Sequence, residues 1–292
     1  MARYAWEDHY RELRNALGAV AQRLVDAGWR ARVVADDNAL VDREAAYRAG
    51  LGWYGKNANL LLPGQGSWFV LGSVITDAPL DPTPTGARAE RVADGCGTCR
   101  RCLDGCPTGA IVAPGVVDAR RCLAWLLQAE GRFPPEHRVA LGDRIYGCDD
   151  CQEVCPPNRR LARRPSEDAE RPAEPDASAQ PVVDLLDMLA ADDSELLDQY
   201  GRWYVPRRQP RYLRRNALIA LANVADARTG AREPGVERAL ERALADPDPI
   251  VRGHAVWAAR RLARDDLVDA LVGADEDPLV RAELAEPVPL RS

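Results

Sequence analysis

All eight cysteines of this 292-residue chain lie between Cys96 and Cys155, and their spacing limits what the chain can fold around. A first run places cysteines at 96, 99, 102 and 106, and a second run places them at 148, 151 and 155. A proline follows the last cysteine of each run, and Cys122 stands alone between the runs. Three closely spaced thiolates with a remote fourth ligand are typical of a 4Fe–4S cubane. The pattern therefore predicts two such clusters.

Two-cluster ferredoxins indicate how the ligands divide, because there the cysteine before proline binds the other cluster. By that rule, three cysteines of the first run and the last cysteine of the second run hold one cluster: Cys96, Cys99, Cys102 and Cys155. The second cluster is then held by the remaining four: Cys106, Cys122, Cys148 and Cys151. The alternatives are zinc and disulfides. Zinc sites usually pair two CxxC units or mix Cys with His, and in a reducing compartment so many cysteines are better explained as metal ligands than as disulfides.

Charge and hydropathy exclude other classes. The formal net charge of −6 excludes a globally basic nucleic-acid coat, so any RNA-binding surface must be a local patch. The N-terminus has no apolar signal core, and no apolar run approaches the length that spans a bilayer. We therefore expect a soluble, cytoplasmic protein with no membrane partner.

The region before the cysteines alternates between helix and strand patterns. Apolar residues at steps of three and four predict a helix over 6–27, and a second helix is predicted over 39–49. Strands are predicted over 29–35 and, fully buried, over 68–75. A glycine-rich stretch occupies 50–57. Such alternation indicates an α/β or α+β unit.

From about residue 183 the chain predicts only helices. Residues 246–256 and 275–285 share the pattern Asp-Pro-x-Val-Arg followed by small and apolar residues, and 211–221 is a weaker copy. This pattern is typical of HEAT-type helical hairpins. About two repeats are too few for a free-standing solenoid, so we expect them to pack on the preceding domain. His254 and Trp257 lie on a repeat helix and are expected in its core.

Long motifs surround the cysteines: Gly50-Leu-Gly-Trp-Tyr-Gly-Lys-Asn57, Gly66-Ser-Trp-Phe-Val-Leu-Gly72, Cys106-Pro-Thr-Gly-Ala-Ile-Val-Ala-Pro114, Asp118-Ala-Arg-Arg-Cys122 and Asp143-Arg-Ile-Tyr-Gly-Cys-Asp-Asp-Cys-Gln152. Together they resemble the epoxyqueuosine reductase family. The resemblance is strong over about residues 3–160 and continues into the helical region through Leu213-Arg-Arg-Asn216.

The resemblance implies a cobalamin-dependent oxidoreductase that reduces epoxyqueuosine to queuosine at the wobble position of tRNA. Electrons would pass through the two clusters to cobalamin, and a carboxylic acid would protonate the epoxide oxygen because an alkoxide is a poor leaving group. Such an acid must stay protonated near neutral pH, which a desolvated pocket can arrange. By position that acid is Asp36, at the end of a predicted strand. A solvated-loop or helix-cap role and the neighbouring Asp37 are the alternatives.

The resemblance also assigns cofactor contacts. Lys56 and Asn57 would shape the cobalamin site through the glycine-rich turn or serve the structure only. Leu60 and Leu71 would contact cobalamin through backbone or packing, or be ordinary core residues. The remaining contacts carried over are Arg3, Asp36, Ala124, Cys148 and Asp149. The family usually has serine at the position of Ala124, and Cys148 and Asp149 match the cluster edge that faces the cofactor.

The fold class expected from these patterns is α+β with four segments. Residues 1–90 would form an α/β cobalamin-binding domain, and 91–162 an inserted two-cluster ferredoxin-like module. Residues 163–182 would form a linker or surface loop, and 183–292 an all-α domain of HEAT-like repeats. Family members carry a long N-terminal stretch before the motif that begins here at Arg3. We therefore expect part of the cobalamin domain to be missing, through either a misassigned start or a compromised form.

A basic stripe occupies residues 201–215, with six arginines, three aromatic residues and no acid. Arginine suits phosphate contacts, and aromatic rings can stack on bases. We expect the anticodon region of tRNA to be contacted by the arginines Arg207, Arg208, Arg211, Arg214 and Arg215. The alternative is a solvated helix whose aromatic rings pack inward.

Two other functions compete with tRNA modification. One is a different corrinoid-dependent reductase of a small molecule, such as a dehalogenase-like enzyme, and the other is a non-catalytic two-cluster electron carrier. The basic stripe and the helical repeats argue against the small-molecule reductase. The chain is expected to be a monomer, and its sequence does not identify the electron donor.

Overall fold

The computed structural model describes residues 1–79, 92–162, 179–225 and 233–288. Within them the chain forms a mixed, helix-rich fold, which confirms the predicted combination of helices and strands. The α-helices are α1 (His9–Asp26), α2 (Asp42–Arg48), α3 (Arg101–Asp104), α4 (Leu123–Leu126), α5 (Pro135–Leu141), α6 (Asp150–Glu153), α7 (Pro156–Ala162), α8 (Leu185–Ala190), α9 (Asp193–Tyr200), α10 (Arg211–Val224), α11 (Pro234–Leu244), α12 (Pro249–Arg261) and α13 (Pro278–Ala285). The strands are β1 (Ala31–Val34), β2 (Trp53–Tyr54), β3 (Leu60–Leu61), β4 (Ser73–Thr76), β5 (Ile111–Ala113) and β6 (Val116–Val117). Short 3₁₀ helices span Arg3–Ala5, Ala119–Arg121, Pro206–Arg208, Asp265–Leu267 and Asp269–Leu271.

The chain divides into two compact units. One, here called the cysteine unit, comprises Arg3–Asp118 and Asp149–Gln180. The other, here called the helical unit, comprises Met1–Ala2, Ala119–Cys148 and Pro181–Ser292. Among the described residues, no helix has both the length and the apolar composition required to cross a bilayer. Most of the predicted linker over 163–182 lies outside the described residues.

In the cysteine unit, α1 packs on an antiparallel pair formed by β1 and β4. The Asp8 carboxylate caps α1 by accepting the N–H of Arg11 at 3.0 Å. Gly72 allows close packing on this helix, because a Cβ there would lie 2.6 Å from the Leu17 side chain. The predicted strand over 29–35 and helix over 39–49 are confirmed with shorter bounds as β1 and α2.

The prediction of a fully buried strand over 68–75 is wrong. Only Ser73–Thr76 is a strand, and its residues are half-buried or exposed. Within the described residues its partner is the four-residue β1, so the ladder cannot extend back over the apolar run that begins at Trp68. The three strand pairs described here are all antiparallel, each within its own two-stranded sheet.

The helical unit is centred on α10 and α12, whose inward side chains are fully buried. His254 and Trp257 are 0% and 2% exposed, which confirms their expected place in its core. The segment Ala119–Cys148 packs here because α10 supplies its hydrogen bonds: Asn216 donates to the carbonyls of Leu127 and Ile145. The segment buries Leu126, Phe133, Leu141 and Ile145 within the helical unit, while the proposed module boundaries at 91–162 stay a prediction.

The two clearest sequence repeats adopt the same local structure. Asp248 and Asp277 each cap a helix that begins with proline, and each accepts the N–H two residues onward at 2.8 Å. Arg252 of the first repeat donates to Asp275 of the second at 2.8 Å. The shared sequence pattern therefore gives the same N-terminal capping in both helices. The assignment of these segments as HEAT-type repeats stays a prediction.

Candidate active site

Four thiols of the cysteine unit form one electrostatic group. Burial, followed by the charges of Cys96, Cys102 and Cys99, raises the pKa of the Cys155 thiol to about 11. Burial likewise raises the pKa of Cys102, with Cys96 and Cys99 adding to it. This is the grouping that the ferredoxin rule predicts for the first cluster. Four thiolates this close repel one another, so a positively charged iron core is the kind of ligand that stabilises them.

The eight cysteines are available as metal ligands. All eight are free and half-buried, so no disulfide competes with metal binding. Within the ranges that the structure describes, no three His, Cys, Asp or Glu side chains are close enough to hold one metal ion. A zinc site needs its thiolate sulfurs about 2.3 Å from one point. The preference for a cubane over zinc therefore rests on the cysteine spacing.

The glycine-rich stretch supports the cysteine loops. Lys56, the only lysine in the chain, donates to the carbonyls of Gly97 and Cys99 at 2.6 and 3.0 Å. Asn57 is buried and donates to the carbonyl of Cys151 at 3.4 Å. Both residues therefore hold the peptide around predicted cluster ligands, which is the structural role left open by the sequence.

Asn158 of α7 clamps a second turn to the cysteine unit. Its side chain is 0% exposed, accepts the N–H of Ser67 at 2.7 Å and donates to the carbonyl of Gln152 at 2.9 Å. Gly66 is required beside it, because a Cβ would overlap the Asn158 amide and the glycine φ is +69°. The sequence analysis did not identify Asn158, although its place three residues after Cys155 was a usable signal.

The other four cysteines are held in different local settings. Cys106 Sγ accepts the N–H of Ala110 at 3.2 Å. Burial raises the pKa of this thiol, but the N–H groups of Thr108, Ala110 and Ile111 outweigh it and lower the pKa overall. Cys122 precedes the first residue of α4 as its N-cap. The assignment of these four residues to one cluster stays a prediction.

Asp36 and Asp37 follow β1 and have different surroundings. Asp36 is exposed and has a left-handed backbone with φ 52°, a conformation that aspartate tolerates better than most residues. Asp37 accepts the N–H of Ala39 at 2.8 Å and pairs with Arg32 at 3.4 Å. The rival aspartate is therefore occupied by local structure. The exposure of Asp36 differs from the desolvated pocket expected for the acid.

A partly buried carboxyl lies beside the Asp36 loop. Burial raises the pKa of Asp42, and the charge of Asp36 raises it further. One Asp42 oxygen, Oδ1, is buried without a hydrogen-bond partner in the described structure. Burial also raises the pKa of Tyr10, followed by the charges of Asp36 and Asp42. The loop therefore lies over a partly dehydrated acidic group that the sequence analysis missed.

Arg3, Trp68 and Asp149 form the second polar feature of the cysteine unit. The guanidinium of Arg3 lies 3.6 Å from the centre of the Trp68 ring, and the Arg3 N–H donates to Asp149 at 2.7 Å. Asp149 is 8% exposed, and burial raises its pKa. Trp68 Nε1 is buried without a partner in the described structure. A buried unpaired donor below a stacked arginine is a place for a ligand that carries acceptors.

The remaining residues predicted to contact the cofactor are buried or half-buried. Leu60 is 2% exposed within β3, so its side chain belongs to the core. Leu71, Ala124 and Cys148 are half-buried.

The basic stripe separates into exposed and structural arginines. Arg207 and Arg208 are exposed, whereas Arg211 pairs with Asp248 at 2.9 Å and Arg214 pairs with Asp193 at 2.5 Å. Trp203 and Tyr212 are buried, as the alternative interpretation of the stripe expected, but Tyr204 is 64% exposed.

Arg215 is corrected to a structural residue. It is 0% exposed and donates to the carbonyls of Ala129 and Gly131 at 2.7 and 2.8 Å and of Leu126 at 3.1 Å. Its side chain therefore cannot reach an RNA phosphate. The number of arginines in the basic stripe does not show on which face of the helix Arg215 lies.

Comparison with known proteins identifies relatives along nearly the whole chain. Residues 95–158 match the family of the 4Fe-4S double cluster binding domain. The chain is 33% identical over 273 residues to the epoxyqueuosine reductase of Bacillus anthracis, covering 92% of this chain and 67% of that protein. It is 38% identical over 268 residues to the epoxyqueuosine reductase of Xanthomonas campestris pv. campestris, covering 88% and 69%.

Solved structures give the same result. A selenomethionine-labelled epoxyqueuosine reductase superposes with a TM-score of 0.81 at 30% identity, covering 97% of this chain and 73% of that one. An epoxyqueuosine reductase with an epoxyqueuosine-modified stem loop of tyrosine tRNA has a TM-score of 0.79 at 28% identity, covering 97% and 72%. A Bacillus subtilis epoxyqueuosine reductase has a TM-score of 0.78 at 29% identity, covering 97% and 72%. In that structure the catalytic loop, which contains an aspartate, is swung out of the active site.

Proposed function

Because this chain belongs to the epoxyqueuosine reductase family, we propose that it reduces epoxyqueuosine in tRNA to queuosine. The observation that carries the proposal is the alignment of 92% of the chain, at 33% identity, with an enzyme of that name. The double-cluster match over 95–158 and the related structure with a modified tRNA stem loop support it. Overall, two electrons and two protons convert an epoxide into an alkene and water.

The two 4Fe–4S clusters would carry these electrons. The first would be held by Cys96, Cys99, Cys102 and Cys155, and the electrostatic grouping of their thiols supports this set. The second would be held by Cys106, Cys122, Cys148 and Cys151, which rests on the spacing rule. The hydrogen bonds from Lys56 and Asn57 would keep the cysteine loops in position for both.

We further propose that cobalamin is the cofactor that meets the substrate. The unpaired Trp68 Nε1 and the Arg3 guanidinium suit a cofactor that carries amide and phosphate acceptors. Bound cobalamin would supply the electrons that open the epoxide. The residues assigned to its site are Arg3, Asp36, Lys56, Asn57, Leu60, Leu71, Ala124, Cys148 and Asp149, among which Leu60 would act through its backbone.

Asp36 is proposed as the proton donor to the epoxide oxygen. It follows the buried end of β1, and its exposed, left-handed loop is able to deliver a carboxyl to a ligand. The swung-out catalytic loop of a relative supports a loop that moves. Exclusion of water by bound substrate would favour the protonated carboxyl that this step needs.

The tRNA partner would be held in part by the exposed arginines of the basic stripe. Arg207 and Arg208 both have left-handed backbones, with φ 49° and 53°. Non-glycine residues in this conformation cost about 1–2 kcal/mol each and cluster at functional sites. Arg208, Arg211 and Arg214 also line a cavity of about 730 Å³. These features support phosphate contacts by Arg207, Arg208, Arg211 and Arg214.

Turnover of a defined RNA tests the proposal. The anaerobically reconstituted chain, with cobalamin and a chemical reductant, is incubated with an epoxyqueuosine-modified tRNA stem loop, and its nucleosides are analysed by mass spectrometry. We expect loss of one oxygen atom from the modified base, and no loss when cobalamin is omitted. Unchanged epoxyqueuosine with fully loaded clusters and cobalamin would contradict the proposed function.

A further inference from the structure

Three exposed arginines form a basic surface on the cysteine unit. Arg101 of α3 and Arg159 and Arg160 of α7 line, together with Pro156, a cavity of about 440 Å³. We call these three arginines the basic patch. None of them forms an ion pair within the part of the chain that the structure describes.

The basic patch differs from the ion-paired arginines of the same unit. Arg30 pairs with Asp77 at 2.8 Å, and Arg48 pairs with Glu44 at 2.6 Å. The chain as a whole has a net charge of −6. Three clustered, uncompensated guanidinium groups therefore create a local positive field that attracts an acidic partner.

The basic patch adjoins the ligands of the first cluster. Arg101 directly precedes Cys102, and Pro156, which begins α7, directly follows Cys155. By the spacing rule, Cys102 and Cys155 are ligands of that same cluster. A partner that docks on the patch would thus lie next to the first cluster.

We propose that the basic patch docks an acidic protein electron carrier, of the ferredoxin or flavodoxin kind, which reduces the first cluster. The proposal rests on the proposed function, because that reaction consumes two electrons that the chain itself cannot supply. Each docked carrier is oxidised by one electron and the cluster is reduced by one, so two encounters supply one turnover. Aromatic residues that stack on bases are absent from the residues lining this cavity, which favours an acidic protein over RNA.

Two charge-matched variants of the cluster-loaded full chain test the proposal. The first, Arg101→Gln with Arg159→Gln and Arg160→Gln, neutralises the basic patch. The control, Arg23→Gln with Arg238→Gln and Arg281→Gln, removes three exposed arginines elsewhere. Binding of a fluorescently labelled acidic plant-type ferredoxin and of a flavodoxin is measured by anisotropy at rising salt.

We expect the wild-type chain to bind at least one carrier with an affinity that falls as salt rises. The patch variant should bind about tenfold more weakly and the control within about twofold of wild type. In stopped-flow experiments, the patch variant should be reduced more slowly by the carrier but at the wild-type rate by dithionite. Equal iron contents would show that the clusters are intact.

Equal binding by wild type and patch variant, or an equal loss in the control, would overturn the proposal. It would also fail if the patch variant kept carrier binding and lost affinity for the tRNA stem loop, which would make the patch an RNA surface. Dithionite-driven turnover of the stem loop by wild type tests the proposed function separately. Carrier docking without that turnover would refute the proposed function and leave the docking surface in place.

Discussion

At the residue scale, Asp36 and Asp37 differ in how far local structure already uses their carboxylates. Asp37 caps a turn and pairs with Arg32, whereas Asp36 is exposed on a left-handed turn. A proton donor must be able to reach a ligand, so this difference favours Asp36.

Asp36→Asn should abolish proton donation without disturbing the fold. Asparagine is isosteric and tolerates the left-handed backbone, so iron content and thermal stability should match wild type. Single-turnover reduction of the modified stem loop should slow by about 10²–10⁴-fold. The control Asp37→Asn should retain turnover within a few-fold, and the reverse ranking of the two variants would remove Asp36 from the mechanism.

His254 couples the stability of the helical unit to pH. Its Nε2 accepts the N–H of Phe133 at 3.1 Å, and its Nδ1 lies 2.7 Å from the carbonyl of Ile250, so the neutral ring satisfies both. Burial lowers the pKa of His254 well below 6.5, and the facing charges of Arg138, Arg215 and Arg132 lower it further.

Acid should therefore destabilise the helical unit. Below about pH 6.5 the histidine is protonated in the unfolded chain but stays neutral in the folded protein. The free energy of unfolding therefore falls as pH falls. The slope from this residue reaches at most about 1.4 kcal/mol per pH unit. His254→Gln should flatten it in urea denaturation between about pH 7.5 and 5.5. An unchanged slope in that variant would mean that another group controls the acid response.

The residue patterns of the sequence predicted the cluster chemistry better than they predicted which side chains are buried. Cysteine spacing predicted the double-cluster domain that the family match over 95–158 supports, because cluster ligands obey a local rule. The same sequence did not reveal that Trp68 leaves a buried donor unpaired or that Arg215 is enclosed. Those facts depend on contacts between segments far apart in the chain, which spacing alone does not encode.

At the scale of elements, the turn that precedes α10 combines charge with unfavourable backbone geometry. Arg207 and Arg208 are consecutive left-handed residues, and Arg207 pairs with exposed Glu130 at 3.0 Å. An exposed pair of this kind contributes little, so it does not account for the strained backbone. Retention of two arginines here is explained if the turn presents them to tRNA.

Replacing Arg207 separates stability from RNA binding. Arg207→Gly relieves the left-handed backbone and should raise the free energy of unfolding by up to about 1 kcal/mol, while Arg207→Ala keeps the strain. Both variants should bind the tRNA stem loop more weakly, with a salt slope reduced by about 1. Wild-type affinity in both would show that the turn does not contact RNA.

Apolar periodicity predicted the helices and the strand that bury one clear face. It failed where strand formation depends on pairing with another strand. Helices α1 and α2 and strand β1 follow from the apolar pattern within a few residues. The run from Trp68 is as apolar as a buried strand, but strand formation needs a partner ladder, and β1 provides only four residues. Short apolar runs cannot report whether such a partner exists.

At the scale of the whole molecule, the chain passes through the helical unit between its two cysteine runs. Ala119–Cys148 belongs to that unit although it contains two of the eight cysteines, Cys122 and Cys148. A linear motif places the segment with the cysteines, whereas its packing depends on residues of α10 some ninety positions away. Motif spacing alone therefore does not show with which unit this segment packs.

Arg215 should be the residue on which this packing depends most. It is 0% exposed, and its guanidinium donates to backbone carbonyls at Leu126, Ala129 and Gly131 while Asn216 accepts from the same group. Arg215→Leu keeps side-chain volume and apolar contact but leaves these acceptors buried without a donor, at a cost of about 1–3 kcal/mol for each unsatisfied group. The loss should total about 3–5 kcal/mol, as for a broken buried ionic network.

The control Arg214→Leu removes an arginine one position away that pairs with exposed Asp193 and donates to one carbonyl, that of Ala191, so it should cost only about 1–2 kcal/mol. Urea denaturation of both variants, followed by circular dichroism, measures the difference. Because Arg215 cannot reach RNA, Arg215→Leu should lower the affinity for the tRNA stem loop only under conditions in which the helical unit has begun to unfold. Arg214→Leu should weaken binding even in the fully folded protein. Equal unfolding free energies for the two variants would show that the segment Ala119–Cys148 is held by its apolar contacts alone.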